Sequence, residues 1–165
     1  MKYFTKGSYS HYWEKRAGSH PQIEEEARKQ ILEIATSIVF RYSEILAAGG
    51  TTREDKKPVV LTDASTEIRF NGLGKFGNET FCFNLLVLNG YSFCKTNHAH
   101  YDLPVCEMLI VLAHFLPGLR VWSDGFDDSG QEPPYTQTWK TAAENVREYY
   151  GVVTKLFIWD GNPKT

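Results

Sequence analysis

Two short polar segments hold most of the side chains that could do chemistry in this 165-residue chain. The first runs from Cys94 to Asp102 and reads CKTNHAHYD, and the second is Ser123-Asp124-Gly125. A cysteine, two histidines and a carboxylate within nine residues are the types found in metal sites and in nucleophilic catalysis. Lysine, threonine and histidine beside the start of a helix also suit the binding of a phosphate or carboxylate.

Neither catalytic pattern is complete in the first segment. Four metal ligands from one nine-residue loop would be sterically crowded, and no second cysteine or histidine pair supplies the rest of a zinc site. We therefore expect no metal and no cofactor. A small hydrolase that uses Cys94, or the pair His98 and His100, with Asp102 as the orienting carboxylate is kept as an alternative.

A pocket for a small anionic ligand is the site that we predict. The N–H groups and dipole at the start of the following helix attract anions, and Asp102 is expected to cap that helix. If the flanking strands pair, the second polar segment lies beside the loop at the carboxyl ends of the strands, where ligands gather. The predicted ligand-binding residues are Lys95, Thr96, His98, His100, Tyr101 and Asp124.

Three segments have helical patterns. Apolar residues recur every three or four positions between residues 19 and 48, which predicts a long helix. The apolar run 103–116 predicts a buried helix, and residues 138–150 predict a third. A strand on each side of the buried helix would make a crossover connection between parallel strands. The stripe on helix 21–48 is expected to pack on the core, with a homodimer interface as the alternative.

Strand patterns account for most of the remaining chain. Residues 59–88 alternate apolar and polar positions around a glycine-rich turn, which predicts a β-hairpin. Apolar runs at 119–123 and 152–159 predict two further strands. We predict a single α+β domain, in which one mixed sheet of the hairpin and these strands is covered by the three helices. An aromatic N-terminal arm, residues 1–18, precedes the long helix and the compact body 58–160.

Composition limits the class of partner. The chain has 18 Lys and Arg against 20 Asp and Glu, so we do not expect nucleic acid as a partner, because phosphate contacts need clustered cations. The chain has three cysteines, Cys82, Cys94 and Cys106. An odd number without a dense pattern is typical of free thiols in a reducing compartment. No apolar run is long enough to span a membrane. We therefore expect a cytoplasmic protein without a membrane partner.

The segment FCKT…YD…V-SDG resembles an uncharacterised family of small proteins encoded by phages and prophages. The residues that carry the resemblance are Phe93-Cys94-Lys95-Thr96, Tyr101-Asp102, Val121 and Ser123-Asp124-Gly125, with residues 67–72 and 79–81 upstream. This chain has His100 where the family pattern has a proline before the Tyr-Asp pair. The resemblance implies no established activity. It implies a phage-borne protein in the host cytoplasm, and such small proteins often act by binding, including by blocking host defence.

The leading hypothesis is a phage-encoded, non-enzymatic binding protein. It would antagonise host defence by sequestering a small nucleotide-like anion or by binding a host protein. The alternatives are the small hydrolase described above and an assembly protein that dimerises through helix 21–48.

Overall fold

The computed structural model describes residues 9–15, 22–49, 57–86, 90–125 and 136–154. Its elements in chain order are β1 (Ser10–Lys15), α1 (Glu25–Arg41), β2 (Leu46–Ala47), β3 (Glu67–Gly72), β4 (Phe81–Asn84), β5 (Ser92–Lys95), α2 (Asp102–Phe115), β6 (Leu119–Ser123) and α3 (Gln137–Tyr150). The α+β class predicted from the sequence is confirmed. Among these helices, none combines the length and apolar character that a membrane crossing requires.

The described residues form two antiparallel three-stranded sheets instead of the single mixed sheet that the sequence predicts. One has the strand order β5-β1-β6 and the other has the order β2-β3-β4. Strand β1 is antiparallel to both of its neighbours, so β5 and β6 run parallel to each other on its two sides. The two strands that α2 connects are therefore parallel, but they do not form the parallel pair predicted from the sequence, because β1 from the aromatic arm lies between them.

Helix α2 lies at the centre of the core. Every residue from 104 to 112 is buried, and the helix contacts α1, α3 and β6. A helix that is apolar on all sides has to be covered on all sides, which explains why the other elements surround it. Its buried ionisable residues, Asp102, Cys106 and Glu107, must find partners on those elements.

Helix α1 is shorter than the predicted helix 19–48, because it covers Glu25–Arg41 and the chain then turns at 42–45 into β2. The apolar spacing continues beyond the helix because Tyr42 and Ile45 pack on the same core from this turn. The buried residues of α1 are Ile31, Leu32, Ala35, Ile38 and Val39. This stripe packs within the chain, which disfavours it as a homodimer surface.

The predicted hairpin 59–88 is present in part. Strands β3 and β4 pair antiparallel, and their inward side chains include Ile68, Phe70, Phe81 and Phe83. Residues 59–61 form no strand, and neither do residues 152–154 of the predicted strand 152–159. The rest of that strand, residues 1–8 and 16–18 of the arm, residues 19–21 of the predicted helix and residues 87–88 of the hairpin lie outside the described residues.

Candidate functional site

A buried polar cluster joins β1, β6 and the start of α2. The Nε2 atom of His11 lies 2.6 Å from Asp102 Oδ1, and its Nδ1 atom lies 2.8 Å from Ser123 Oγ. The hydroxyl of Thr96 donates a hydrogen bond to the same carboxylate oxygen. One turn further along α2, the sulfur of Cys106 lies 3.8 Å from His11 Nε2. The Asp102 side chain thus serves this cluster and does not cap α2, where no side-chain cap hydrogen bond is formed.

The hydrogen bonds of Ser123 assign the proton positions in this cluster. Its Oγ accepts the backbone N–H of Gly125 at 2.9 Å and the indole N–H of Trp139 at 3.1 Å. Both lone pairs of the hydroxyl are then used, so its own hydrogen points to His11 Nδ1. The remaining imidazole hydrogen is on Nε2 and is donated to Asp102. This arrangement corresponds to the Nε2–H tautomer of His11.

Serine, histidine and aspartate are the residue types of a hydrolase triad, but this geometry blocks that chemistry. A nucleophilic serine needs an oxygen lone pair that faces the substrate. Ser123 uses both lone pairs on N–H groups, and the exposed fractions of Ser123, His11 and Asp102 are 7%, 0% and 4%. The cluster connects the sheet to α2 and does not form an open catalytic centre.

The six predicted ligand-binding residues divide between the interior and the surface. Thr96 and Tyr101 are fully buried. Thr96 bonds to Asp102, and the Tyr101 hydroxyl donates to the carbonyl oxygen of Glu79 at 2.6 Å. A ligand can reach neither residue without opening the core.

The two histidines of the loop, His98 and His100, are exposed, and each stacks on a different aromatic ring. Asn97 and His98 form a tight turn with positive φ angles of 50° and 57°. The His98 ring stacks on Tyr9 with 3.5 Å between ring centroids, and His100 stacks on Phe76 at 4.6 Å. The carboxylate of Asp102 is directed to His11 instead, so the histidines do not gain it as the orienting group that the hydrolase alternative requires.

Cys94 points into the core. It is fully buried, and its thiol donates to the carbonyl oxygen of Glu79 at 3.5 Å. Burial raises the pKa of the Cys94 thiol to about 12. Because the thiolate is the reactive form of cysteine, this environment disfavours Cys94 as a nucleophile.

We expect thiol reagents to label Cys82 alone in the native protein. Cys82 is half-buried, whereas Cys94 and Cys106 are buried. Alkylation at neutral pH followed by peptide mass spectrometry should give one modified cysteine in buffer and three in urea. The variant Cys82→Ser should show none in buffer. Labelling of native Cys94 as fast as in urea would restore it as a candidate nucleophile.

Four aromatic side chains form a continuous surface on the outer side of sheet β5-β1-β6, and we call Tyr12, Tyr91, Phe93 and Trp122 the aromatic face. Strand pairing places Tyr12 opposite both Phe93 and Trp122, so three rings form a row across the strands. The ring centroids of Tyr12 and Trp122 are 5.6 Å apart, and those of Tyr91 and Trp122 are 5.9 Å apart. Tyr91 is 57% exposed and Phe93 is 49% exposed.

Charged side chains lie at both ends of the aromatic face. Glu14 and Arg120 form a cross-strand ion pair with 3.2 Å between Oε1 and Nη1. The Arg120 guanidinium also lies 5.0 Å from the ring centroid of Trp122. Lys95 and Asp124, both predicted ligand-binding residues, follow at the ends of β5 and β6. These four residues carry equal numbers of positive and negative charges.

A second buried polar cluster joins the three helices around Glu107 of α2. Its carboxylate accepts hydrogen bonds from Arg41 at 3.0 Å, from the Tyr42 hydroxyl at 2.5 Å and from the Asn145 amide at 2.7 Å. Burial raises the pKa of Glu107, and these three donors oppose that effect. Burial and the Glu107 carboxylate raise the pKa of Tyr42 to about 12. The cluster satisfies its own donors and acceptors, so we assign it to holding the helices together.

Protein-family models, curated proteins and solved structures were each compared with this chain, and none of the three comparisons gave a match.

Proposed function

We propose that this protein is a non-enzymatic binding protein that docks a partner protein on its aromatic face. The observation that carries the proposal is the contiguous surface of two exposed rings, Tyr91 and Phe93, and two half-buried rings, Tyr12 and Trp122, on one side of the sheet. Large apolar patches on a surface mark interaction sites, because burying them removes apolar area from water. Tyrosine, tryptophan and arginine are also the residues most enriched where binding energy concentrates in protein interfaces.

The packing of the side chains behind the aromatic face supports this role. Strand β1 alternates, so that Tyr12 faces out while His11 and Trp13 are buried behind it. The Trp13 ring packs on Phe81 of the other sheet at 5.3 Å between centroids. Rings presented by a well-packed sheet lose little conformational freedom on binding, which lowers the entropic cost of association.

The charges around the face favour a protein partner over nucleic acid. Proteins that bind single strands combine stacking rings with a positive groove. Here Arg120 is already paired with Glu14, and Asp124 offsets Lys95. A mixed rim of this kind suits a protein surface, which carries both signs of charge. The resemblance to phage-encoded proteins supports a host protein as that partner and interference with a host process as the role.

Site-specific photo-crosslinking tests the proposal. A photoreactive phenylalanine analogue replaces Tyr91 in one preparation and Tyr149 in another, and each variant is produced in host cells. Tyr149 is the matched control, because its exposed fraction is 58% against 57% for Tyr91. It lies on α3, outside the aromatic face. We expect an adduct with one identified protein from the Tyr91 position and none from the Tyr149 position.

The affinity of the purified complex gives the second readout. We expect Trp122→Ala to raise the Kd by about 30-fold, the size of a hot-spot contribution, and Tyr149→Ala to leave it unchanged. Circular dichroism of each variant checks that the sheet is intact. Equal adducts from both positions, or an unchanged Kd in Trp122→Ala, would contradict docking on this face. Binding of a nucleotide or single-stranded oligonucleotide that quenches Trp122 fluorescence and weakens steeply with salt would assign the face to that ligand instead.

A further inference from the structure

We propose that His11, Asp102 and Cys106 bind a zinc ion in the interior of the protein. Their ligand atoms all lie within 4.8 Å of one another, and all three residues are buried. An imidazole nitrogen, a thiolate sulfur and a carboxylate oxygen form a donor set that is typical of Zn²⁺. The site is separate from the aromatic face, so its existence does not depend on the proposed docking function.

The distance between His11 and Cys106 suits a tetrahedral zinc site, whereas the distance between His11 and Asp102 is shorter than such a site requires. Asp102 and Cys106 are four residues apart on α2 and share one side of the helix, and β1 brings His11 against that side. The distance from His11 Nε2 to Cys106 Sγ is 3.8 Å, near the roughly 3.6 Å between nitrogen and sulfur ligands of a tetrahedral zinc. The distance from Nε2 to Asp102 Oδ1 is 2.6 Å, so the ion has to replace the hydrogen between them and widen that gap to about 3.3 Å.

One of the two carboxylate oxygens of Asp102 lacks a hydrogen-bond partner among the residues that the structure describes. Its Oδ2 atom is buried and makes no hydrogen bond within the described part of the chain. Within the described residues, no Lys or Arg pairs with this carboxylate, and its ionisable neighbour is the His11 imidazole. A buried carboxylate without a permanent positive neighbour is costly, and a zinc ion on Oδ2 or Oδ1 would remove that cost.

The surrounding side chains can accommodate the proton changes that zinc binding requires. The thiol of Cys106 loses its proton to solvent, and the imidazole hydrogen of His11 moves from Nε2 to Nδ1. The new Nδ1–H donates to Ser123 Oγ, 2.8 Å away, and takes the lone pair that now accepts the Trp139 indole N–H. The hydroxyl hydrogen of Ser123 then turns toward the Ser10 carbonyl oxygen at 3.5 Å. Such a bond from the second ring nitrogen orients zinc-bound histidines in general. The Thr96 hydroxyl, 3.4 Å from Nε2, adjoins the fourth ligand position.

Zinc at this position would fix β1 to α2. His11 is the neighbour of Tyr12 in β1, so the ion would lie directly behind the aromatic face. Because the folded state alone brings the three ligands together, zinc should raise the midpoint of thermal unfolding and a chelator should lower it.

Cobalt substitution of the full chain tests this site. The protein is first stripped of metal with a chelator, and Co²⁺ is then titrated to one equivalent. A tetrahedral site with one thiolate should give visible d–d bands and a near-ultraviolet sulfur-to-cobalt charge-transfer band, and zinc should displace both. Cys106→Ser should abolish the charge-transfer band. Cys94→Ser, which changes the other buried cysteine, should retain it.

A second measurement covers the case in which Cys106→Ser does not fold. X-ray absorption of the zinc-loaded natural protein should show one sulfur neighbour, with nitrogen and oxygen in the other positions. A first shell without sulfur would overturn the proposal. So would native mass spectrometry that finds no bound metal after zinc addition, or a charge-transfer band that survives Cys106→Ser and disappears in Cys82→Ser.

Discussion

Replacing Glu107 with alanine is expected to lower the free energy of unfolding by about 3 kcal/mol. The change leaves the Arg41 guanidinium, the Tyr42 hydroxyl and the Asn145 amide without the acceptor that they share in the interior. The side chain of Arg41 is 21% exposed and can partly turn to water, so we expect the lower end of the range for a broken buried pair. Urea unfolding followed by circular dichroism measures the effect.

The matched control for this prediction is Glu144→Ala. Glu144 is exposed on α3, and exposed substitutions of this kind change stability by about 0.5 kcal/mol or less. Equal stability of the Glu107→Ala and Glu144→Ala variants would mean that packing alone holds the three helices together. A changed slope of free energy against urea concentration in either variant would show that the unfolded or folded state itself had been altered.

Replacing Trp139 with alanine is expected to lower the free energy of unfolding by about 4 kcal/mol. The indole is fully buried, its ring lies edge-on to His11 at 5.3 Å between centroids, and its N–H donates to Ser123. Alanine removes that packing. It also leaves the buried Ser123 Oγ without the N–H donor of the indole. Thermal or urea unfolding in the presence of a chelator measures the loss without a contribution from bound metal.

Two further substitutions separate the parts of this effect. Trp139→Phe keeps most of the ring and loses the N–H donor, so it should cost about 1 kcal/mol for the hydrogen bond, with a smaller packing loss. Tyr149→Ala removes an exposed ring from the same helix and serves as the control. If Trp139→Ala costs no more than Tyr149→Ala, the indole cannot be a core residue.

The buried polar cluster and the aromatic face depend on one strand. In β1, His11 and Trp13 face the core while Tyr12 and Glu14 face outward. A change that displaces this strand, such as Trp139→Ala, should therefore also weaken binding at the aromatic face. Substitutions around Glu107, which contacts Arg41 of α1 and Asn145 of α3, should lower the free energy of unfolding with less effect on that binding.

Several elements could be predicted from the sequence, because their signals are local. The predicted helices 103–116 and 138–150 correspond to α2 and α3, and the predicted strand 119–123 corresponds to β6. Helical hydrogen bonds join residues four apart, so an apolar pattern within one short segment is enough to indicate them. The same pattern made the predicted helix longer than α1. Tyr42 and Ile45 continue the apolar spacing, but they pack on the core from a turn and not from a helix.

The tertiary structure alone decided the neighbours of β1, the described strand of the aromatic arm. Strand β1 pairs with β5 and β6, and this places His11 beside Asp102 and Ser123, which are 91 and 112 residues away along the chain. The alternation within SHYWEK could have indicated a strand with His11 on one side and Tyr12 on the other, but not its neighbours. A strand can take its hydrogen-bond partners from any part of the chain, and the burial of all the side chains together selects them. The residue types of both sites were therefore visible in the sequence, whereas their assembly into a buried cluster and an aromatic face required the fold.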